Sequence, residues 1–131
     1  MNMNAQYTID LERYGSEGTI VMMAPSLTRL TAMNNALSES ARKHAPRGAE
    51  LDLNNVPLGD LSIISVLAYV KSAPFKTTPA AFMAFCEVLD DKDNGSAVLL
   101  LKEMQDLMVK IDKGEDSPLA DSQEQGIQSS D

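Results

Sequence analysis

The apolar positions at the start of the chain alternate with polar ones. Tyr7, Ile9 and Leu11 are interleaved with Thr8, Asp10 and Glu12, the period-two pattern of a strand with one covered face. Tyr14-Gly15-Ser16-Glu17-Gly18 supplies turn residues, and Thr19 to Met23 forms the second strand of a hairpin. An isolated hairpin is marginal in water, so this one must pack on helices or pair with a strand of another subunit. Its edge, which includes Met22, is thereby a candidate assembly surface.

After Pro25 the period changes to that of helices. Ser26 is placed to cap a helix from about Leu27 to Lys43, with Leu27, Leu30, Met33, Leu37 and Ala41 within one arc of about 120° and Arg29, Glu39, Arg42 and Lys43 outside it. His44-Ala45-Pro46-Arg47-Gly48 stops this helix, and Leu51 to Gly59 reads as an irregular connection anchored by Leu51, Leu53, Val56 and Leu58. A second helix is expected over Leu61 to Ser72, capped by Asp60. It has no charge until Lys71 and is expected to be the most buried element, with Ile63, Val66, Leu67 and Val70 inward, Ile64 at the margin, and Ser62, Ser65, Tyr69 and Ser72 opposite.

Ala73-Pro74 ends that helix, and Thr78-Pro79 opens a third, since Thr caps and Pro at the first helical position gives up no bonded N–H. Phe82, Phe85, Cys86 and Leu89 share its inward face, and Met83 projects elsewhere. Ser96 is the expected cap of a fourth helix ending near Gly114. Its broad face carries Leu100, Leu101, Met104, Leu107, Met108 and Ile111, with Asp106 and Lys110 an exposed pair. Val98 and Val109 lie off that face as a separate apolar spot.

From Glu115 to Asp131 the composition shifts to Asp, Glu, Ser, Gln, Gly and Pro, with Leu119 and Ile127 as the only aliphatics larger than Ala. Such a stretch cannot bury enough apolar surface to offset its conformational entropy. The expected fold is therefore mainly α: an N-terminal β-hairpin followed by about four helices in one compact domain, residues 1–114, and a disordered acidic C-terminal segment, residues 115–131. A chain of 131 residues suits one core, which must be aliphatic and Met-rich because Trp is absent and aromatics make up 5%.

The net charge of −8 argues against a nucleic-acid backbone as ligand. The local basic cluster of Arg42, Lys43, His44 and Arg47 reads as a helix C-terminus favoured by the macrodipole. Five of the acids lie in the last seventeen residues, so residues 1–114 hold 14 acids against 11 bases, a net −3. With one cysteine no internal disulfide forms, and with no targeting or membrane-spanning stretch the expected location is the cytoplasm.

Catalytic and metal chemistry finds little foothold. Asp90-Asp91-Lys92-Asp93-Asn94-Gly95 resembles a calcium loop only until Lys92 occupies a ligand position and Leu101 stands where a bidentate Glu is needed. Cys86 has only His44 as a potential base, and it shares a helical face with two phenylalanines, where a cysteine packs as a small hydrophobe. One His and one Cys are too few for zinc, and no phosphate-cradling or dinucleotide fingerprint occurs. The expectation is a protein without enzymatic activity or cofactor that works by binding proteins through apolar residues left over from the core: Met83, Val98, Val109 and, at the hairpin, Met22.

The run Gly18-Thr19-Ile20-Val21-Met22-Met23-Ala24-Pro25-Ser26-Leu27-Thr28-Arg29-Leu30, a short strand leading into a capped helix, together with the helical middle and the polar switch after Lys113-Gly114, resembles the tail assembly chaperones of lambda-like long-tailed bacteriophages. The resemblance implies a protein that binds the tape measure protein, keeps it soluble, helps recruit tail tube subunits and leaves before the tail is complete. It also implies contact with the tube protein through a longer frameshifted form, self-association as a homo-oligomer, and work in the host cytoplasm. The other class this organisation fits is a structural or connector component of a phage particle, or a bacterial adaptor of similar shape.

Overall fold

The computed structural model describes residues 5–114; the expectation of a disordered C-terminal segment concerns residues outside these. Two strands, β1 (Tyr7–Asp10) and β2 (Thr19–Met22), pair antiparallel with Tyr7 opposite Met22 and Ile9 opposite Ile20. Leu11 is not part of the first strand. The Asp10 carboxylate accepts from the Glu12 amide at 3.0 Å and starts a single 3-10 turn, Leu11–Tyr14, after which the Leu11 amide donates to the Gly18 carbonyl. Gly18 is at φ +103°, and a Cβ there would stand 3.2 Å from the Pro74 ring, so both conformation and space require glycine.

Four helices follow: α1 (Leu27–His44), α2 (Leu58–Leu67), α3 (Pro79–Lys92) and α4 (Ser96–Asp112). The Ser26 hydroxyl caps α1 through the Arg29 amide, and the Thr78 hydroxyl caps α3 through the Ala81 amide with Pro79 at the first position, as the sequence signals require. The cap of α4 differs from expectation. Gly95, at φ +99°, occupies the cap position, and the Asp90 carboxylate of α3 accepts from the Gly95 and Ala97 amides at 3.2 and 3.0 Å. Ser96 is buried instead of capping. One carboxylate thereby fixes the α3–α4 corner.

The largest departure is at α2. It begins at Leu58 after Pro57, not at Leu61, and Asp60 does not cap it but accepts from the Ser40 hydroxyl of α1 at 2.8 Å. It ends at Leu67, where the Ala68 and Tyr69 amides tighten onto the Ser65 and Val66 carbonyls, and Val70–Ser72 becomes a third strand, β3. The sheet order is β1-β2-β3, with a one-residue register slip between Val21 and Met22, and the Met23 amide donates to the Tyr69 carbonyl. The hairpin thus finds its additional partner within its own chain. The supposed hydroxyl stripe dissolves, since Ser62 and Ser65 are helical, Tyr69 is in the turn and Ser72 is in the strand.

The inner face of the sheet, Tyr7, Ile9, Ile20, Met22 and Val70, packs with Val66 and Leu67 of α2, Phe82, Cys86 and Leu89 of α3, and Leu100, Met104, Leu107 and Ile111 of α4. Phe75 lies against Phe82 and Phe85 at centroid distances of 5.5 and 4.8 Å. Outside this core the Arg13 guanidinium and the Tyr14 hydroxyl both donate to the Glu103 carboxylate, tying the hairpin turn to α4. That is the one ion pair among the described residues; Asp106 and Lys110 do not form one.

α1 adds no side chain to the central core. Ala41 is fully buried and Met33 and Leu37 are half-buried, but Leu27 is 80% exposed and Leu30 is also exposed, so the proposed inward arc fails over the first turn. The connection into α2 is anchored by Val56 alone; Leu51, Leu53 and Leu58 face solvent. α2 is correspondingly buried in its C-terminal half only, with Leu61 also exposed.

Candidate protein-binding groove

α1 and α2 run antiparallel, because Arg29 near the start of α1 meets the end of α2 while Ser40 near its other end meets Asp60. The Arg29 Nε donates to the Ala68 carbonyl at 3.0 Å and a terminal nitrogen to the Ala24 carbonyl at 3.0 Å. A cation at the C-terminal end of a helix is favoured by the helix dipole, and the guanidinium satisfies carbonyls the helix leaves open. These two contacts hold the helices side by side without filling the space between them.

The unfilled space is a groove of about 380 Å³ bounded by Ala32, Met33, Ala36 and Glu39 of α1, Ile64 and Leu67 of α2, and Thr77, Thr78 and Pro79 at the start of α3. Its size follows from residue choice: Ala32, Ala36 and Ala68 are small where larger side chains would have closed the gap. The walls are mainly apolar. The ends are polar, with Arg29 at one and Glu39 toward the other, and the N-terminal end of α3 adds a positive dipole at the rim.

The chemistry available is binding. Arg29 is occupied with carbonyls, and the other lining side chains hold no thiol or imidazole. Cys86 lies in the core, its thiol pushed up to about 11 by burial and then by the Asp90 carboxylate, so it is protonated at neutral pH. His44 is exposed, with Nδ1 2.9 Å from the Ser40 carbonyl in its own helix. Among the described residues no group of three or more His, Cys, Asp or Glu side chains is disposed to hold a metal ion, and no helix is long and apolar enough to cross a membrane.

The residues singled out from the sequence do not form one surface. Met22 is fully buried, and β2 is the central strand, so neither Met22 nor the Thr19 to Met23 edge is open to a partner. The alternation that put Met22 on a strand was correct, but the face it occupies is the core face, and β3 covers the edge. Val98 and Val109, 70% and 46% exposed, share the outer face of α4 about 16 Å apart along its axis. Met83 is 47% exposed on α3. Leu99 and Val88 are further exposed apolar residues that periodicity did not single out. The groove itself went unseen; its signal was Ala32 and Ala36, four apart on one flank of α1.

Compared with protein families, curated proteins and solved structures, the chain matches none.

Proposed function

We propose that this protein works by binding other proteins, and that the α1–α2 groove seats one amphipathic helical segment of a client. The observation that carries this reading is the groove's construction: two antiparallel helices held apart by end contacts, with alanines along the seam and an open apolar floor. A third helix laid there would find small residues that permit close approach and apolar side chains at i, i+3 and i+4 spacing. The resemblance to tail assembly chaperones supplies the client class, a long helical chain of the tape measure kind, kept soluble in the host cytoplasm while tube subunits are recruited. The exposed Val98, Val109 and Met83, none of which lines the groove, are then the contacts for self-association.

Co-expression with the neighbouring gene products, followed by pull-down, tests the reading. Ala36→Asp places a charge in the seat and should weaken client capture at least tenfold with helicity retained, whereas Val98→Asp and Met83→Asp should leave capture intact and shift sedimentation toward the monomer. Capture unaffected by Ala36→Asp would remove the groove as the site. Retention of the protein in a finished particle would make it a structural or connector component instead.

A further inference from the structure

We infer that the groove is also the docking site for the chain's own acidic C-terminal segment, with Leu119 in its apolar middle. Three independent observations converge on this occupant. The first is where the described chain ends. The Tyr69 hydroxyl donates to the Asp112 carboxylate at 2.5 Å, so the last turn of α4 is tethered beside Tyr69, the neighbour of Ala68, which lines the groove and accepts from Arg29.

The second observation is length. Gly114, in the turn that ends α4, is five residues from Leu119, and an extended chain covers at most about 3.3–3.6 Å per residue, which gives Leu119 a reach of roughly 17 Å from that end. From Leu119 to Glu124 a further five residues span roughly 17 Å. That matches the rise of about 15 Å along α1 from Met33 to Lys43.

The third is charge. Arg29 lines the groove, Lys76 is adjacent to the lining Thr77, and Lys43 lies one turn beyond the lining Glu39 on the same flank of α1. None of these cations has a carboxylate within ion-pair distance among the described residues. The segment brings Glu115, Asp116, Asp121, Glu124 and Asp131 and no base. Its acids flank Leu119: Glu115 and Asp116 fall toward Arg29, whose guanidinium also serves the Ala24 and Ala68 carbonyls, and Asp121 and Glu124 fall toward Lys43, one turn beyond the Glu39 that lines that end of the groove.

The contact does not depend on the client proposed above, and the test uses no client. In the full chain carrying Cys86→Ala, a nitroxide is placed on Ser122→Cys and amide signals are compared before and after reduction of the label. Docking in the chain's own groove should broaden the Ala32, Ala36 and Ala68 amides at least twofold, with Lys43→Glu or 0.5 M salt reducing the effect and Leu119→Asp abolishing it. Independently of the label, Leu119→Ser in the otherwise unaltered chain should shift the same amides. Amides in the groove that respond to neither the label nor Leu119→Ser would overturn the inference. So would broadening that appears only when labelled chains are mixed with separate isotope-labelled ones, since the occupant would then belong to a second copy.

Discussion

Burial holds the Cys86 thiol neutral up to about pH 11, with the nearby Asp90 carboxylate acting in the same direction. The folded state therefore keeps this proton where the unfolded chain has lost it, between roughly pH 9 and 11. Stability associated with the thiol is complete below that window and falls as the pH rises through it. Tyr69 and Tyr14, each pushed up to about 12 by burial and then by hydrogen bonding to Asp112 and Glu103, extend the loss above pH 10. Denaturation followed from pH 8 to 12 should show a steady decline, less steep in Cys86→Ala and in Tyr69→Phe. At pH 7 Cys86→Ala should cost on the order of 1 kcal/mol, leave client binding unchanged and remove a thiol that labels slowly in the native protein. Rapid labelling would place the thiol outside the core. The packing role of Cys86 was legible because Phe82, Phe85 and Leu89 share its helical face. Alternation tells which residues share a face but not which face is covered, so it does not place Met22 in the core.

Among the elements, α3 is readable from its Thr78-Pro79 start and its stripe, and α4 from its stripe and its end near Gly114, though not from its cap. α2 and β3 were not. Leu61 to Ser72 is apolar and uncharged until Lys71, and such a run fits a buried helix or a helix followed by a strand equally well. The decision came from tertiary structure, since Val70 fills the inner face beside Met22 and the chain reverses at Ala68 and Tyr69 to do so. The same dependence appears at the α3–α4 corner, where the cap of one helix is a side chain of the preceding helix. Asp90→Ala should lower stability by about 1–2 kcal/mol, because it strips an acceptor from two amides. Asp90→Asn, which keeps a carbonyl oxygen, should recover most of that loss in the denaturation midpoint. Equal midpoints for the parent and Asp90→Ala would show that the corner holds without the carboxylate.

For the molecule as a whole, pattern and composition established a helical domain opened by a hairpin. They did not show that the groove exists, because a groove is defined by residues too small to close it and by helices brought together from separate stretches of chain. Truncation after Gly114 should preserve cooperative unfolding. A segment docked nine-tenths of the time contributes only about RT ln 10, roughly 1.4 kcal/mol, to the stability of the domain. Loss of cooperativity would mean that residues beyond Gly114 complete the core. The position of α1 has a further consequence. Its attachments include Ala41, half-buried Met33 and Leu37, the Ser40–Asp60 bond and the two Arg29 carbonyl bonds, none of them in the central core. It should then behave as a separate cooperative unit, with amides exchanging their hydrogens through a partial opening while α4 exchanges only on global unfolding. Native-state exchange should show protection in α1 at least tenfold below that of Leu100 to Leu107, and a bound client should slow exchange in α1 alone. The groove would thus be a seat with one hinged wall, its width set by whatever occupies it.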